Sequence, residues 1–342
     1  MTFQSTPRED RPRIALAMGD PVGIGPEIVV KALSAPEIYQ HCIPVVIGDA
    51  RVLAEAPGWR NGERRIVEID DVEVARPEPG IISVIDLANV PDYIRKPEAT
   101  AENGRAMVEY LDKCIELAMA GKVEAVVFAP LNKLAMKKAG FNYPDEYEYF
   151  ASIFDTTDYT VIQVSPHLVL ASVTLHVSIR EVPDMITKER IISTLRHSVR
   201  AARAAGIANP RIGVAALNPH AGEDGTLGKE EQAIIRPAVE LARAEGIDAH
   251  GPFPADSFFT TVKSAAYDVY VGMYHDQGRI AIKLLDFGRA STMTEGLPVL
   301  FVTVAHGTAY DIAGKGIARH QNLVETLQIA ARRALARRDE RA

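Results

Sequence analysis

The sequence predicts an α/β protein built on a largely parallel sheet and divided into two lobes. Short, nearly all-apolar runs recur along the chain, as in strands covered on both faces. Segments with helical apolar spacing lie between them, the alternation that builds parallel sheets. The length, 342 residues, exceeds what one ordinary core organises.

The elements follow in order. A first strand over 13–18 runs into Met18-Gly19-Asp20-Pro21-Val22-Gly23-Ile24-Gly25-Pro26-Glu27. A helix leaves that turn at Pro26, whose fixed φ suits a first helical position, with Glu27 favoured by the helix dipole. Strands are expected over 43–47 and 81–85. The helix over 107–120 places Met107, Leu111, Ile115 and Ala118 on one stripe. Further strands are read over 123–128, 161–164, 168–175, 211–216, 268–273 and 298–304, and further helices over 189–205, 229–245 and 322–336. The first dozen residues and the Arg-rich stretch after Arg332 are expected to fray. No repeat or low-complexity tract is seen. Loops over 133–147 and 285–297 are taken as the crossings between lobes. That gives one lobe from 1–135 plus 290–342 and a second over 136–289.

Composition removes several classes of function. The chain is 47% hydrophobic and 24% charged, with a net charge of −7. That acidic balance argues against a nucleic-acid partner, which needs a basic footprint. No apolar run approaches the roughly 18–20 residues that span a bilayer, so no membrane is expected. Cys42 and Cys114 lie far apart, without metal-type spacing. They point to a reducing cytoplasm rather than a disulfide framework.

Chemistry in such folds sits at the carboxyl ends of strands. Three of the nine histidines fall there: His176 in Thr174-Leu175-His176, His220 in Leu217-Asn218-Pro219-His220-Ala221-Gly222-Glu223-Asp224-Gly225, and His275 in Met273-Tyr274-His275-Asp276-Gln277-Gly278. Neutral imidazole is a common ligand for zinc-like cations, and a carboxylate often orients it. Three imidazoles with an open position match a catalytic rather than a structural metal site. The other six histidines read as structural or surface residues. The Gly19–Glu27 turn is not a dinucleotide fingerprint, because Ile28 stands where the third glycine belongs.

These strings together resemble the 4-hydroxythreonine-4-phosphate dehydrogenase family. To the segments above add Ala129-Pro130-Leu131-Asn132-Lys133, Gly251-Pro252-x-Pro254-Ala255-Asp256, Gly296-Leu297-Pro298 and His306-Gly307-Thr308-Ala309. The resemblance runs in order from about residue 13 to 320. It implies a two-lobed fold like isocitrate and isopropylmalate dehydrogenases, with the active site in the interlobe cleft. It implies a homodimer whose site is shared between subunits. The family's metal ligands fall on His176, His220 and His275, the last from the other subunit. Lys283 matches a substrate-binding lysine and Asp256 an acid near the substrate.

The pattern also departs from the family. The family's substrate-binding His-Thr pair falls on Glu146 and Tyr147, its Asn on Thr292 and its anion-binding Arg on Phe301. Ala305 stands where an Asp usually precedes the His-Gly-Thr string. Losing an arginine fork and gaining a carboxylate weakens the grip on a phosphate dianion. The sequence therefore points to a non-phosphorylated substrate such as a terephthalate-type cis-dihydrodiol. The alternatives are 4-hydroxythreonine 4-phosphate and the D-threonate or D-erythronate 4-phosphates. The implied reaction oxidises a hydroxyl β to a carboxylate and then releases CO2. NAD takes the hydride, with NADP the alternative, and a divalent cation, zinc ahead of magnesium, manganese or cobalt, polarises the substrate oxygen. Lys283 or Asp256 serves as base. Asn218, Gly222 and Gly225 are assigned to the cofactor loop. Two other readings use the same histidines: a metal-dependent hydrolase or aldolase, and a non-catalytic small-molecule binder.

Overall fold

The computed structural model describes residues 6, 7, 10–58, 65–92 and 96–340, and they form two compact units. One comprises residues up to Tyr143 together with Val299 onward, and the other spans Pro144–Pro298.

The first unit opens with strand β1 (Arg13–Ala17) and helix α1 (Gly25–Ala32). Strand β2 (Ile43–Gly48), helix α2 (Ala50–Glu55) and strands β3 (Arg65–Glu68) and β4 (Ile81–Asp86) follow. Next come α3 (Ala101–Met119), β5 (Ala125–Phe128) and α4 (Lys133–Lys138). The chain returns at its end as β12 (Phe301–Val304) and α11 (Gln321–Asp339). The strand order is β3-β4-β2-β1-β5-β12, and every pairing is parallel. Strands β1, β2, β5 and β12 are buried almost throughout, which their unbroken apolar runs anticipate. Helix α3 packs on β1, β2 and β5, and α11 on β5 and β12.

In this unit, two helix termini differ from expectation by three residues or more. Helix α11 continues to Asp339, because Arg333 is buried and its guanidinium pairs with Glu340 at 2.9 Å. Helix α3 starts six residues before the expected position. Thr100 caps it by accepting from the Asn103 N–H, and the buried Asn103 amide donates to Glu98 O at 2.8 Å.

The second unit begins with helix α5 (Glu146–Ile153), strands β6 (Thr160–Val164) and β7 (Val169–Ser172), and helices α6 (Val182–Met185) and α7 (Lys188–Ala204). Strand β8 (Ile212–Ala215), a π turn over Glu231–Ile235, helix α8 (Arg236–Ala244) and strand β9 (Ala249–Phe253) come next. It closes with α9 (Ala255–Phe258), β10 (Val269–Gly272), α10 (His275–Asp286) and β11 (Ser291–Glu295). The order is β11-β6-β7-β10-β8-β9. Pairings β11–β6 and β6–β7 are antiparallel, and the other three are parallel. The largely parallel expectation thus holds fully in the first unit and for part of the second. No helix among the described residues is long and apolar enough to cross a membrane.

Candidate active site

Strands β7, β10 and β8 are parallel neighbours, so their carboxyl ends share one edge. His176 lies four residues beyond β7, and His275 three beyond β10. Their rings face each other with centroids 5.4 Å apart and planes tilted by 42°.

Each ring is held by a carboxylate on Nδ1. His275 Nδ1 meets Asp276 Oδ1 at 2.7 Å, and His176 Nδ1 meets Asp145 Oδ2 in a short contact. Asp145 is buried and divides its two oxygens between two tasks. Its Oδ1 caps α5 by accepting from the N–H groups of Tyr147 and Glu148, both at 2.9 Å. Its Oδ2 is left to orient the imidazole. Fixing the proton on Nδ1 in this way leaves the ring's lone pair on Nε2, where it can ligate a cation. Burial pushes the His275 pKa down, which favours the neutral, ligating form. His167 and His250 also pair with aspartates, Asp286 and Asp248. What distinguishes His176 and His275 is that they face one another.

His220 does not join them. It is 68% exposed and its neighbour is Glu223, 3.7 Å from Nδ1. Among the described residues no three His, Cys, Asp or Glu side chains converge as a metal set. The chain alone thus assembles two of the three expected ligands. Within one chain, His275 is the one beside His176, and His220 stands apart.

The His220 loop has an unusual backbone. His220, Ala221, Gly222, Glu223 and Asp224 all have φ between 43° and 80°. Left-handed conformation costs non-glycine residues about 1–2 kcal/mol each. Buried Glu231 holds the loop by accepting from the N–H groups of Leu217 and Asn218 at 2.9 and 2.7 Å. The Asn218 amide donates to Glu230 and Glu231 at 2.7 and 2.9 Å. Asn218 is therefore committed to the loop itself. A Cβ on Gly222 would lie 2.6 Å from Glu231 Oε2, so that glycine serves internal packing. Gly225 has φ 93°, and its nearest outside neighbour is Gln232. The Gly19 turn has the same explanation. A Cβ there would meet Pro130 O at 2.7 Å, and Asp20 accepts from the Tyr310 hydroxyl.

The remaining expected site residues separate. Tyr147 is buried, and its hydroxyl hydrogen-bonds Thr292. Gln163 Nε2 donates to Thr292 Oγ1 at 3.3 Å. Glu146 is half-buried in the first turn of α5. Lys283 and Asp256 are exposed, on α10 and α9. Phe301 corrects the sequence reading: it is 0% exposed inside β12, paired with Val126, and presents no surface to a ligand. Strand position, not substrate contact, accounts for its apolar identity.

A cavity of about 650 Å³ opens beside His176, lined by Asp145, Glu148, Asp155, Tyr159, Met185 and Arg190 among others. Burial, then the Asp145 charge, pushes the Glu148 pKa up. Arg190 donates to the carbonyls of Val173 at 3.0 Å and Tyr159 at 2.6 Å, so its fork is engaged. Sequence reading missed Asp145, although Asp145 with Glu148 three residues later is a capping-box-like signal.

The fold class is that of two-lobed α/β dehydrogenases. An isocitrate dehydrogenase from Methylococcus capsulatus shares the fold at 17% identity and TM-score 0.53, over 96% of this chain and 89% of that one. A narrower family can be named. The family model described as "Pyridoxal phosphate biosynthetic protein PdxA" matches residues 40–330, and the chain belongs to that family. The family supports assignment as an oxidoreductase. A protein of Oceanobacillus iheyensis named "Putative D-threonate 4-phosphate dehydrogenase" is 39% identical over 94% of this chain and 97% of its own length. The crystal structure of a 4-hydroxythreonine-4-phosphate dehydrogenase from Burkholderia phymatum is 39% identical, with TM-score 0.79, over 94% of this chain and 98% of that one. A terephthalate 1,2-cis-dihydrodiol dehydrogenase from Burkholderia xenovorans is 31% identical, with TM-score 0.65, over 94% and 98%.

Proposed function

We propose that the chain is a metal-dependent, NAD(P)-linked dehydrogenase of a phosphorylated four-carbon hydroxy acid of the D-threonate 4-phosphate type, and that it releases CO2 from the oxidised product. The carrying observation is the facing His176–His275 pair, each ring oriented by its own aspartate, in a chain of this family. The substrate class rests on the relatives. The 39%-identical protein bears the D-threonate 4-phosphate name, whereas the dihydrodiol dehydrogenase is more distant in both identity and fold. This replaces the non-phosphorylated substrate favoured by Glu146 and Phe301. Half of that reasoning weakens once Phe301 is a core residue.

The donor chemistry suits a borderline divalent cation, zinc foremost, held by His176 and His275 with His220 as the third ligand. Such an ion would supply Lewis acidity at the substrate oxygen, and NAD(P) would accept the hydride. The chain's own contribution is orientation. Asp145 and Asp276 fix the imidazole tautomers, and Lys283 on the same helix as His275 is the candidate base, with Asp256 the alternative.

We further infer a homodimer that shares the site. His220 stands apart from the facing pair, which supports its donation across a subunit interface. Ile280, Leu284 and Phe287 are 59%, 82% and 83% exposed at i, i+4 and i+7 of the α10 segment, an apolar stripe suited to a second copy. Two free, buried thiols, Cys42 and Cys114, accord with a cytoplasmic setting.

The test is absorbance at 340 nm with NAD or NADP, on D-threonate 4-phosphate, 4-hydroxythreonine 4-phosphate and an aromatic cis-dihydrodiol carboxylate. Phosphorylated acids are expected to win, with activity lost on chelation and regained with a divalent cation. Preference for the dihydrodiol, or full activity after exhaustive chelation, would refute the reading.

A further inference from the structure

Arg279 is 8% exposed, yet it makes no hydrogen bond among the described residues, and its Nε is buried without a partner. An unpaired buried guanidinium is a costly arrangement that a chain does not keep for stability. Its place explains it. His275, Arg279 and Lys283 recur every four residues on α10, so they share one helical stripe with Arg279 in the middle. Among the described residues its ionisable neighbours are His275 and Tyr147, and no carboxylate pairs with it. Tyr147 bonds Thr292, which accepts from Gln163, and Gln163 Oε1 is a second buried polar atom without a partner. One neighbourhood thus holds an unmatched donor on Arg279 and an unmatched acceptor on Gln163. A ligand bearing both an oxyanion and a hydroxyl would satisfy the two.

We propose that Arg279 is the specificity-determining anion fork of this enzyme, receiving the phosphate of the substrate, with Tyr147, Thr292 and Gln163 forming the polar wall of the same seat. This rests on the functional reading above and deepens it. The cavity beside His176 is no rival seat, because Asp145, Glu148 and Asp155 line it and Arg190 is already engaged. A planar fork with free donors on the His275 helix supplies what this chain lacks at Phe301, where the family pattern has its arginine.

The experiment compares wild type, Arg279→Lys and Arg279→Leu with inorganic phosphate as probe and D-threonate 4-phosphate as substrate. Phosphate should raise the wild-type Tm and compete with substrate. Arg279→Leu removes an unpaired buried charge, so its Tm without phosphate should equal or exceed wild type, while its response to phosphate disappears. KM for the phosphorylated acid should rise at least about tenfold, with kcat falling less, because a bidentate charged contact is lost. Arg279→Lys keeps the charge but not the fork and should lie between. If the Leu variant does not fold, Arg279→Lys decides by the same two readouts. Unchanged phosphate response and KM would overturn the proposal, even if the phosphorylated acid is turned over. Conversely, if no phosphorylated acid is oxidised but Arg279→Leu still abolishes phosphate binding, the anion seat stands and the substrate reading falls.

Discussion

At the scale of single residues, Asp145 shows how one carboxylate can divide its two oxygens between a helix cap and an imidazole. One oxygen satisfies two N–H groups at the start of α5, and the other holds His176. Asn caps helices about as well as Asp, but its amide replaces the second acceptor with a donor. Asp145→Asn should therefore leave Tm nearly unchanged and lower metal affinity about 10–100-fold, the usual consequence of losing an orienting partner. Asp145→Ala should lose both, with about 1 kcal/mol of stability from the missing cap. Metal titration alongside thermal melting checks the pair. Equal metal affinity in Asp145→Asn and wild type would show that His176 needs no orientation from this carboxylate.

At the scale of elements, burial decides both pH behaviour and what could be read in advance. His197 on α7 is 1% exposed, with Nδ1 2.9 Å from Thr160 Oγ1 of β6 and Nε2 3.9 Å from Asp158. Burial lowers its pKa from 6.5 to about 4, against the opposing pull of Asp158 and Glu295 and with the help of Arg200 and Arg190. Between those values the unfolded chain binds a proton that the folded chain refuses. The contribution is full above pH 6.5 and is lost as pH falls toward 4, about 3 kcal/mol in all. Urea melts of wild type and His197→Gln should show a stability difference that narrows over that window. A constant difference would assign the acid loss to other groups. The same burial explains legibility. Strands such as β2 and β5 were plain because both faces are covered. Strand β3 reads Arg-Ile-Val-Glu and is mostly exposed, β9 contains Gly251 and Pro252, and β11 buries Ser291, Thr292 and Thr294, so none shows an apolar run. Helix α10 has no side-chain cap, a glycine packed on Leu170, and leucines facing outward, which hides its period. His176 and His275 were legible because strand ends announce themselves. Arg279 was not, since a lone arginine in a helix reads as solvated until its burial is known.

At the scale of the whole molecule, the proposed shared site makes a definite claim about how two copies of the chain would combine their histidines. His176 and His275 already face each other within one chain, whereas His220 sits on an exposed, left-handed loop. If His220 is the ligand that crosses, a site consists of His176 and His275 from one copy and His220 from the other. Two inactive variants, His220→Ala and His275→Ala, unfolded and refolded together, should then regain activity. A random mixture yields half heterodimers, each with one intact site of two, so about a quarter of wild-type activity is expected from a closed two-fold dimer. His176→Ala mixed with His275→Ala should regain nothing, because both residues are needed on the same copy. The family resemblance, with His275 crossing, instead demands recovery from both mixtures. Recovery in neither would place all three ligands on one chain and remove the shared site altogether. The mixing ratio supplies its own control, since activity from heterodimers must peak at equal amounts and vanish toward either pure variant.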